Sequence, residues 1–250
     1  LHDPQRLNPL TLALQRQLSA VLARVAADEA VRAVVLAGAG RAFSVGAELG
    51  GLHEEAGRSG RTPGQWVGDV MVEFTNPLVL ALRALRVPTI ARVQGPVAGA
   101  GVGLALACDL VVASRSAYFY LPFVPRLGLL PDAGATWLLP RLAGGARALG
   151  LTLLGDRLSG EDAARWGLVW CCVEDGQLDG TVAGLAQRLA ALPPGAALEA
   201  RAAFAAAWRN DLSAQLALEA ARQRELVDCE AFAQGVRAFL GQRATRQQGS

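Results

Sequence analysis

Four short apolar runs, RAVVLAG (32–38), TIARVQG (89–95), LVVAS (110–114) and LVWCCVE (168–174), are too short for helices and are separated by stretches with helical spacing. Parallel strands need a long crossover, usually a helix, so strands alternating with helices imply a parallel sheet inside an α/β fold. After Gln177 the alternation stops. Four helical segments rich in alanine and arginine follow, at roughly 178–192, 196–209, 213–227 and 230–242. The chain is therefore expected to be an α/β core over residues 1–175 with a helical C-terminal region over 176–250.

Within the core, Leu10, Leu14, Leu18, Val21, Leu22 and Val25 predict a helix from Pro9 to Val25, with Asn8 as its cap. Thr62-Pro63 opens another helix, which Asn76-Pro77 breaks and restarts. Further helices are expected at about 99–107, 133–142, 145–154 and 160–166, the last with Ser159 and Asp162 as a capping box.

Over 250 residues, 52% are hydrophobic and 18% charged, which supplies a core and excludes disorder. A net charge of +2 gives no pull towards nucleic acid or an acidic membrane. Cys108, Cys171, Cys172 and Cys229 make no CxxC pair, and only His2 and His53 stand beside them as soft ligands. They read as reduced packing residues of a cytoplasmic protein, with no metal site. No apolar stretch is long enough to span a bilayer and no signal peptide is visible. The chain opens on Leu1 and Met71 is its single methionine, so native N-terminal residues are expected to be missing.

The segment GPVAGAGVGLALACD (95–109) crowds glycine and alanine where a strand should turn into a helix. A dinucleotide fingerprint fails, because its third glycine would fall on Leu104 and no acidic residue follows at the right distance. A phosphate loop fails for want of Gly-Lys-Ser/Thr. What remains is either close packing or a backbone meant to be approached. A second small-residue loop, RAFSVGAEL (41–49), also follows a strand. Two such loops can aim two N–H groups at one oxygen, which describes an oxyanion hole. A Ser44–His53 hydrolase is disfavoured, since AFSVG lacks the first glycine of a nucleophile elbow. The tryptophans are scattered and read as core or interface anchors. Asp109 reads as a structural turn residue.

VRAVVLAGAGRAFSVGAEL (31–49) resembles the first signature of the crotonase family, the enoyl-CoA hydratases and isomerases. VPTIARVQGPVAGAGVGLALACDLVVAS (87–114) resembles the second and RLGLLPDAGATWLLPRLAG (126–144) the third. ARQRELVDCEAFAQGVRAFLGQR (221–243) is similar to the family's C-terminal helices. The resemblance implies a spiral of ββα units with a C-terminal helical region used in trimerisation, preceded in the family by a strand pair that would lie before LNPL. It implies a homotrimer or dimer of trimers acting on an acyl-CoA, with coenzyme A as part of the substrate and no separate cofactor. It gives the oxyanion donors to the N–H groups of Ala47 and Ala100, and CoA binding to Arg41, Ala42, Ser44 and Gly46. Glu48 stands where many members carry aspartate, and Ala100 where glycine is usual. Arg243 is either a solvated charge or a contact to a CoA phosphate.

The family's hydratases use two glutamates, and the resemblance puts Gly103 and Val124 at those positions. Neither exchanges a proton, so hydration is disfavoured. Asp132 remains, either as the N-cap of the helix that ATWLL opens or as the proton-carrying acid of the Δ3,Δ2-enoyl-CoA isomerases and ring 1,2-epoxyphenylacetyl-CoA isomerases. Leu129, Leu130, Val124 and Trp137 are candidates for an apolar pocket that would raise its pKa. The expected function is a double-bond shift in a 3-enoyl-CoA through an enolate. The alternatives are the epoxide isomerase, another enolate reaction such as decarboxylation or thioester hydrolysis, or an acyl-CoA-binding homologue without turnover.

Overall fold

The computed structural model describes residues 1–48 and 50–248, with side chains apart for 241–248. Two compact units divide the chain, Leu1–Ala191 and Leu192–Ser250.

In the first unit the strands are β1 (Val34–Ala37), β2 (Thr89–Val93), β3 (Pro96–Ala98), β4 (Leu110–Ser114), β5 (Tyr118–Tyr120), β6 (Arg157–Ser159) and β7 (Cys171–Val173). A parallel sheet has the order β1-β2-β4-β7, with Val34 opposite Thr89, Ile90 opposite Leu110 and Val112 opposite Cys171. These four strands lie in the four apolar runs of the sequence. The remaining strands form a second sheet, β3-β5-β6, parallel then antiparallel. Each of its strands has three residues, too few for alternation to mark them in sequence.

The parallel sheet is covered on both faces, which is why β2 and β4 read as unbroken apolar runs. Successive side chains point to opposite faces. Ala91, Val93, Val111 and Ala113 join the main core with Phe43, Leu78, Leu104 and Phe119. Ile90 and Val112 instead meet Leu178 and Val182. The last two belong to the ninth helix of the chain (Leu178–Ala190), so the boundary between compact units falls after that helix.

Helix α1 (Leu12–Ala27) begins later than its apolar spacing suggests, and Thr11 caps it by accepting from the Leu14 N–H at 3.1 Å. Asn8 is not a cap. It is fully buried, and its Nδ2 donates to the carbonyls of Ala39 and Ala42, both at 2.9 Å, tying down the loop after β1. Helices α2 (Leu52–Arg58) and α3 (Pro63–Val70) follow, with a full Thr62–Gln65 capping box on α3. Then comes a π-helical turn (Met71–Thr75) and α4 (Asn76–Ala84). Pro77 has no N–H for the carbonyl of Glu73, so the helix widens there instead of breaking. The Asn76 N–H reaches back to the Met71 carbonyl.

Helices α5 (Ala100–Leu106), α6 (Ala135–Ala143), α7 (Gly145–Leu154) and α8 (Gly160–Arg165) complete the spiral before α9 (Leu178–Ala190). Ser159 caps α8, accepting from the Asp162 N–H at 3.0 Å. Asp109 has the structural role expected of it, its carboxylate accepting from the N–H and hydroxyl of Thr89 at 2.7 and 3.1 Å. No two cysteines are bridged.

The second unit holds α10 (Ala196–Ala207), α11 (Leu212–Val227) and α12 (Glu230–Gln248). Arg222 on α11 grips Glu199 on α10 through two hydrogen bonds, at 3.0 and 2.8 Å. Among the described residues no helix is long and apolar enough to cross a membrane.

Candidate active site

The loop after β1 is fastened against Gln94, Gly95 and β3, which follow β2. Ser44 forms an isolated parallel bridge with Val97, and the Ala98 N–H donates to the Ser44 carbonyl at 2.9 Å. The Gln94 side chain donates to the carbonyls of Gly38 and Gly40 at 2.6 and 3.0 Å. A β-carbon on Gly95 would lie 2.0 Å from the Arg41 carbonyl oxygen, so only glycine permits that approach.

At the end of the first loop and just past β3 stand two alanines whose N–H groups no other described residue takes up, Ala47 and Ala100. Ala100 is the first residue of α5, and such N–H groups have no partner within their helix. Gly99 absorbs the unusual backbone conformation, at φ +54, so Ala100 needs no positive φ. The alanine that replaces the usual glycine therefore keeps its donor free.

The small residues of α5 answer to two neighbours. A β-carbon on Gly101 would come within 2.9 Å of the Ser44 carbonyl oxygen, and one on Gly103 within 2.3 Å of the Ala133 carbonyl oxygen. Two residues are about 200° apart around a helix, so α5 is gripped from opposite sides. On one side is the first loop, on the other the turn that carries Asp132.

Asp132 does not cap α6. The residue before that helix is Gly134, in a left-handed conformation and with no side-chain cap. Asp132 contributes its backbone carbonyl to the Ala135 N–H at 2.9 Å, while its Oδ1 is buried without a hydrogen-bond partner. Burial pushes the carboxyl pKa up to about 6, offset in part by a hydrogen bond from its own N–H.

Ala47, Ala100 and Asp132 line one cavity of about 280 Å³. Its apolar wall comes from Leu10, Leu12, Leu52, Trp66, Val70 and Met71, on or beside α1, α2, α3 and the π-helical turn. The pocket candidates read from the sequence are not there. Leu129 and Leu130 are 53% and 78% exposed, Val124 lies elsewhere, and Trp137 is stacked under Arg141 with its guanidinium 3.9 Å from the ring centre. Trp66 thus lines the cavity and is only partly buried.

Two buried polar residues that the sequence reading missed also line the cavity. The Thr75 hydroxyl donates to Gln15 Oε1 at 2.8 Å, and Gln15 Nε2 donates to the Leu10 carbonyl at 2.9 Å. Gln15 had a visible signal, as a polar residue in the helical stripe of Leu18, Leu22 and Val25.

Of the residues assigned to CoA, Arg41 is exposed, whereas Ala42, Ser44 and Gly46 are buried and shape the loop. The Ser44 hydroxyl donates to the Asn8 carbonyl at 2.8 Å and accepts from the Gly46 N–H at 3.2 Å. It is no nucleophile, and His53 is exposed on α2. Glu48 lines the cavity and pairs with Arg6 at 2.7 Å. The Arg243 side chain lies outside the described residues.

The family model for enoyl-CoA hydratase/isomerase matches residues 1–249. A 1,2-epoxyphenylacetyl-CoA isomerase of Escherichia coli K12 is 41% identical over all of this chain and 93% of its own. A Rhodobacter capsulatus protein named a probable enoyl-CoA hydratase is 42% identical over 97% of this chain and 90% of its own. The crystal structure of an enoyl-CoA hydratase from Bacillus anthracis superposes with a TM-score of 0.85 at 31% identity, covering 97% of this chain and 91% of that one. The fold is that of crotonase, and the chain belongs to the enoyl-CoA hydratase/isomerase family.

Proposed function

We propose that this chain is a CoA-thioester isomerase in which Asp132 carries the proton and the N–H groups of Ala47 and Ala100 hold the enolate oxygen. The observation that carries this reading is the Asp132 carboxyl, buried without a partner at Oδ1 in the cavity that both alanines line.

In a 3-enoyl-CoA the thioester acidifies C2. Ionised Asp132 takes a C2 proton, the electron pair moves onto the thioester oxygen, and the dienolate rests between the two N–H groups. Protonated Asp132 then delivers the proton to C4, leaving the double bond between C2 and C3. One acid serves both carbons, because no water has to be activated. Each aimed donor supplies about 3 kcal/mol. The shuttle supplies a further factor of roughly 10²–10⁴. A pKa near 6 suits both halves of the cycle near neutral pH.

The same hole and acid serve an epoxide of phenylacetyl-CoA, and the 41% identity with the Escherichia coli epoxide isomerase favours this as a second reading. Many of the similar proteins bear hydratase names. Hydration is disfavoured here because Gly103 and Val124 hold no proton. The CoA end is assigned to the 41–47 loop, with Arg41 exposed to a phosphate and Ala42, Ser44 and Gly46 shaping the backbone. The assembly is a homotrimer or a dimer of trimers, which sedimentation measures.

An absorbance assay offering 3-enoyl-CoA, 1,2-epoxyphenylacetyl-CoA and 2-enoyl-CoA separately tests the reading. Isomerisation of either of the first two, with no hydration of the third, supports it. Hydration at a comparable rate contradicts it.

A further inference from the structure

The turn that bears Asp132 belongs to no strand or helix. Ala133 sits at φ +49, a left-handed conformation that a residue with a β-carbon adopts at a cost of roughly 1–2 kcal/mol, and Gly134 follows at φ +81. Strain of this kind persists where packing enforces it. Here the packing partner is α5. The three atoms nearest to a β-carbon built on Gly103 all belong to Ala133: its carbonyl oxygen at 2.3 Å, its carbonyl carbon at 2.8 Å and its β-carbon at 2.8 Å. Gly103 and Ala133 are both buried, so neither has free space to retreat into.

From this we infer that Gly103 is the positioning residue for Asp132. The missing side chain at 103 sets the depth at which the 131–134 turn seats, and so brings the carboxyl into the cavity beside Ala100. A side chain on residue 103 and a carboxylate from residue 132 exclude each other there. This inference rests on the reading of Asp132 as the proton carrier.

Among the described residues the other ionisable side chains on the cavity are Glu48, paired with Arg6 at 2.7 Å, and Glu55, 3.8 Å from Arg58. Neither contributes to the raised pKa of Asp132, which burial causes. The acid limb of the rate profile is therefore a direct readout of how deeply Asp132 sits.

The experiment measures kcat, KM, the pH–rate profile and the thermal midpoint of wild type, Gly103→Ala and Asp132→Asn on the thioester that wild type isomerises. The expected result for Gly103→Ala is a fall in kcat of about 100-fold from misplacement of the acid. KM stays within about twofold, since binding of the thioester is untouched. The acid limb moves from about 6 towards the usual carboxylate value near 4 as the carboxyl gains water. A general loss of folded protein would lower the rate without moving the limb.

If Gly103→Ala does not fold, Gly103→Ala with Ala133→Gly replaces it, because glycine removes the 2.8 Å contact and lets the carbonyl turn away. The double variant is expected to fold and to keep the low kcat and displaced limb. Wild-type kcat and limb in whichever variant folds, with Asp132→Asn inactive, overturn the positioning role alone. Wild-type rates in Asp132→Asn overturn the role of Asp132 and this inference with it.

Discussion

A β-carbon on Gly46 would lie 2.9 Å from the amide nitrogen of Ala100. The end of the first loop therefore touches the start of α5, and one glycine at φ +81 sets how near the two donor alanines stand. The hole is a property of this contact as much as of either loop.

Gly46→Ala strains the backbone and drives a methyl against Ala100 N and the Ala98 carbonyl oxygen, 2.7 Å away. The expected cost is roughly 1–3 kcal/mol of stability. Losing the aim of one donor lowers kcat by a further 10²–10³, roughly. Thermal melting and turnover at saturating thioester separate the two effects.

Asn8→Ala removes the two N–H donors of Nδ2, which serve the carbonyls of Ala39 and Ala42 at 2.9 Å and are shared with that of Phe43 at 3.3 Å, and the acceptor for the Asp3 N–H at 2.8 Å. Carbonyls left unpaired in the interior cost about 1–3 kcal/mol each before water reaches them. Urea unfolding should show a loss of roughly 2–4 kcal/mol, large for one residue.

The parallel sheet was legible in sequence because it is buried on both faces, which leaves apolar runs that no other element explains. The second sheet was not, since Pro96–Ala98, Tyr118–Tyr120 and Arg157–Ser159 are fixed by one another and not by local pattern. The loops ending at Ala47 and Ala100 showed through their glycines, whose spacing reflects backbone contact. Asn8 misled, because Asn-Pro before an apolar stripe reads as a cap, while the loop carbonyls compete for the same amide. Asp132 was ambiguous for a similar reason. Pro-Asp-x-Gly suits a cap, and only the left-handed turn at Ala133 and Gly134 puts Gly134, not Asp132, at the cap position. The cavity wall was read wrongly because α2 and the π-helical turn come from sequence far from Asp132.

Thr75→Val leaves Gln15 Oε1 without its donor in a buried site. A loss of about 1–3 kcal/mol is expected. Thr75→Ser keeps the hydroxyl and should lose less, by the same melting measurement.

Asp132 also makes stability depend on pH. The folded carboxyl keeps its proton up to about 6, whereas the unfolded one releases it near 4. Between those values the native state binds more protons, so wild-type stability falls as pH rises through the window. The loss is complete above about 6 and amounts to at most about 3 kcal/mol. Asp132→Asn lacks it, and should melt higher than wild type at pH 8 while the two converge near pH 4.

The most direct measurement is the rate of thioester isomerisation by Asp132→Asn against wild type at pH 7.5, with acyl-CoA binding measured on both. The expected result is a rate lower by roughly 10²–10⁴ with binding retained, because the hole and cavity remain and the proton carrier is gone. Equal rates in the two proteins would contradict Asp132 as the group that moves the proton.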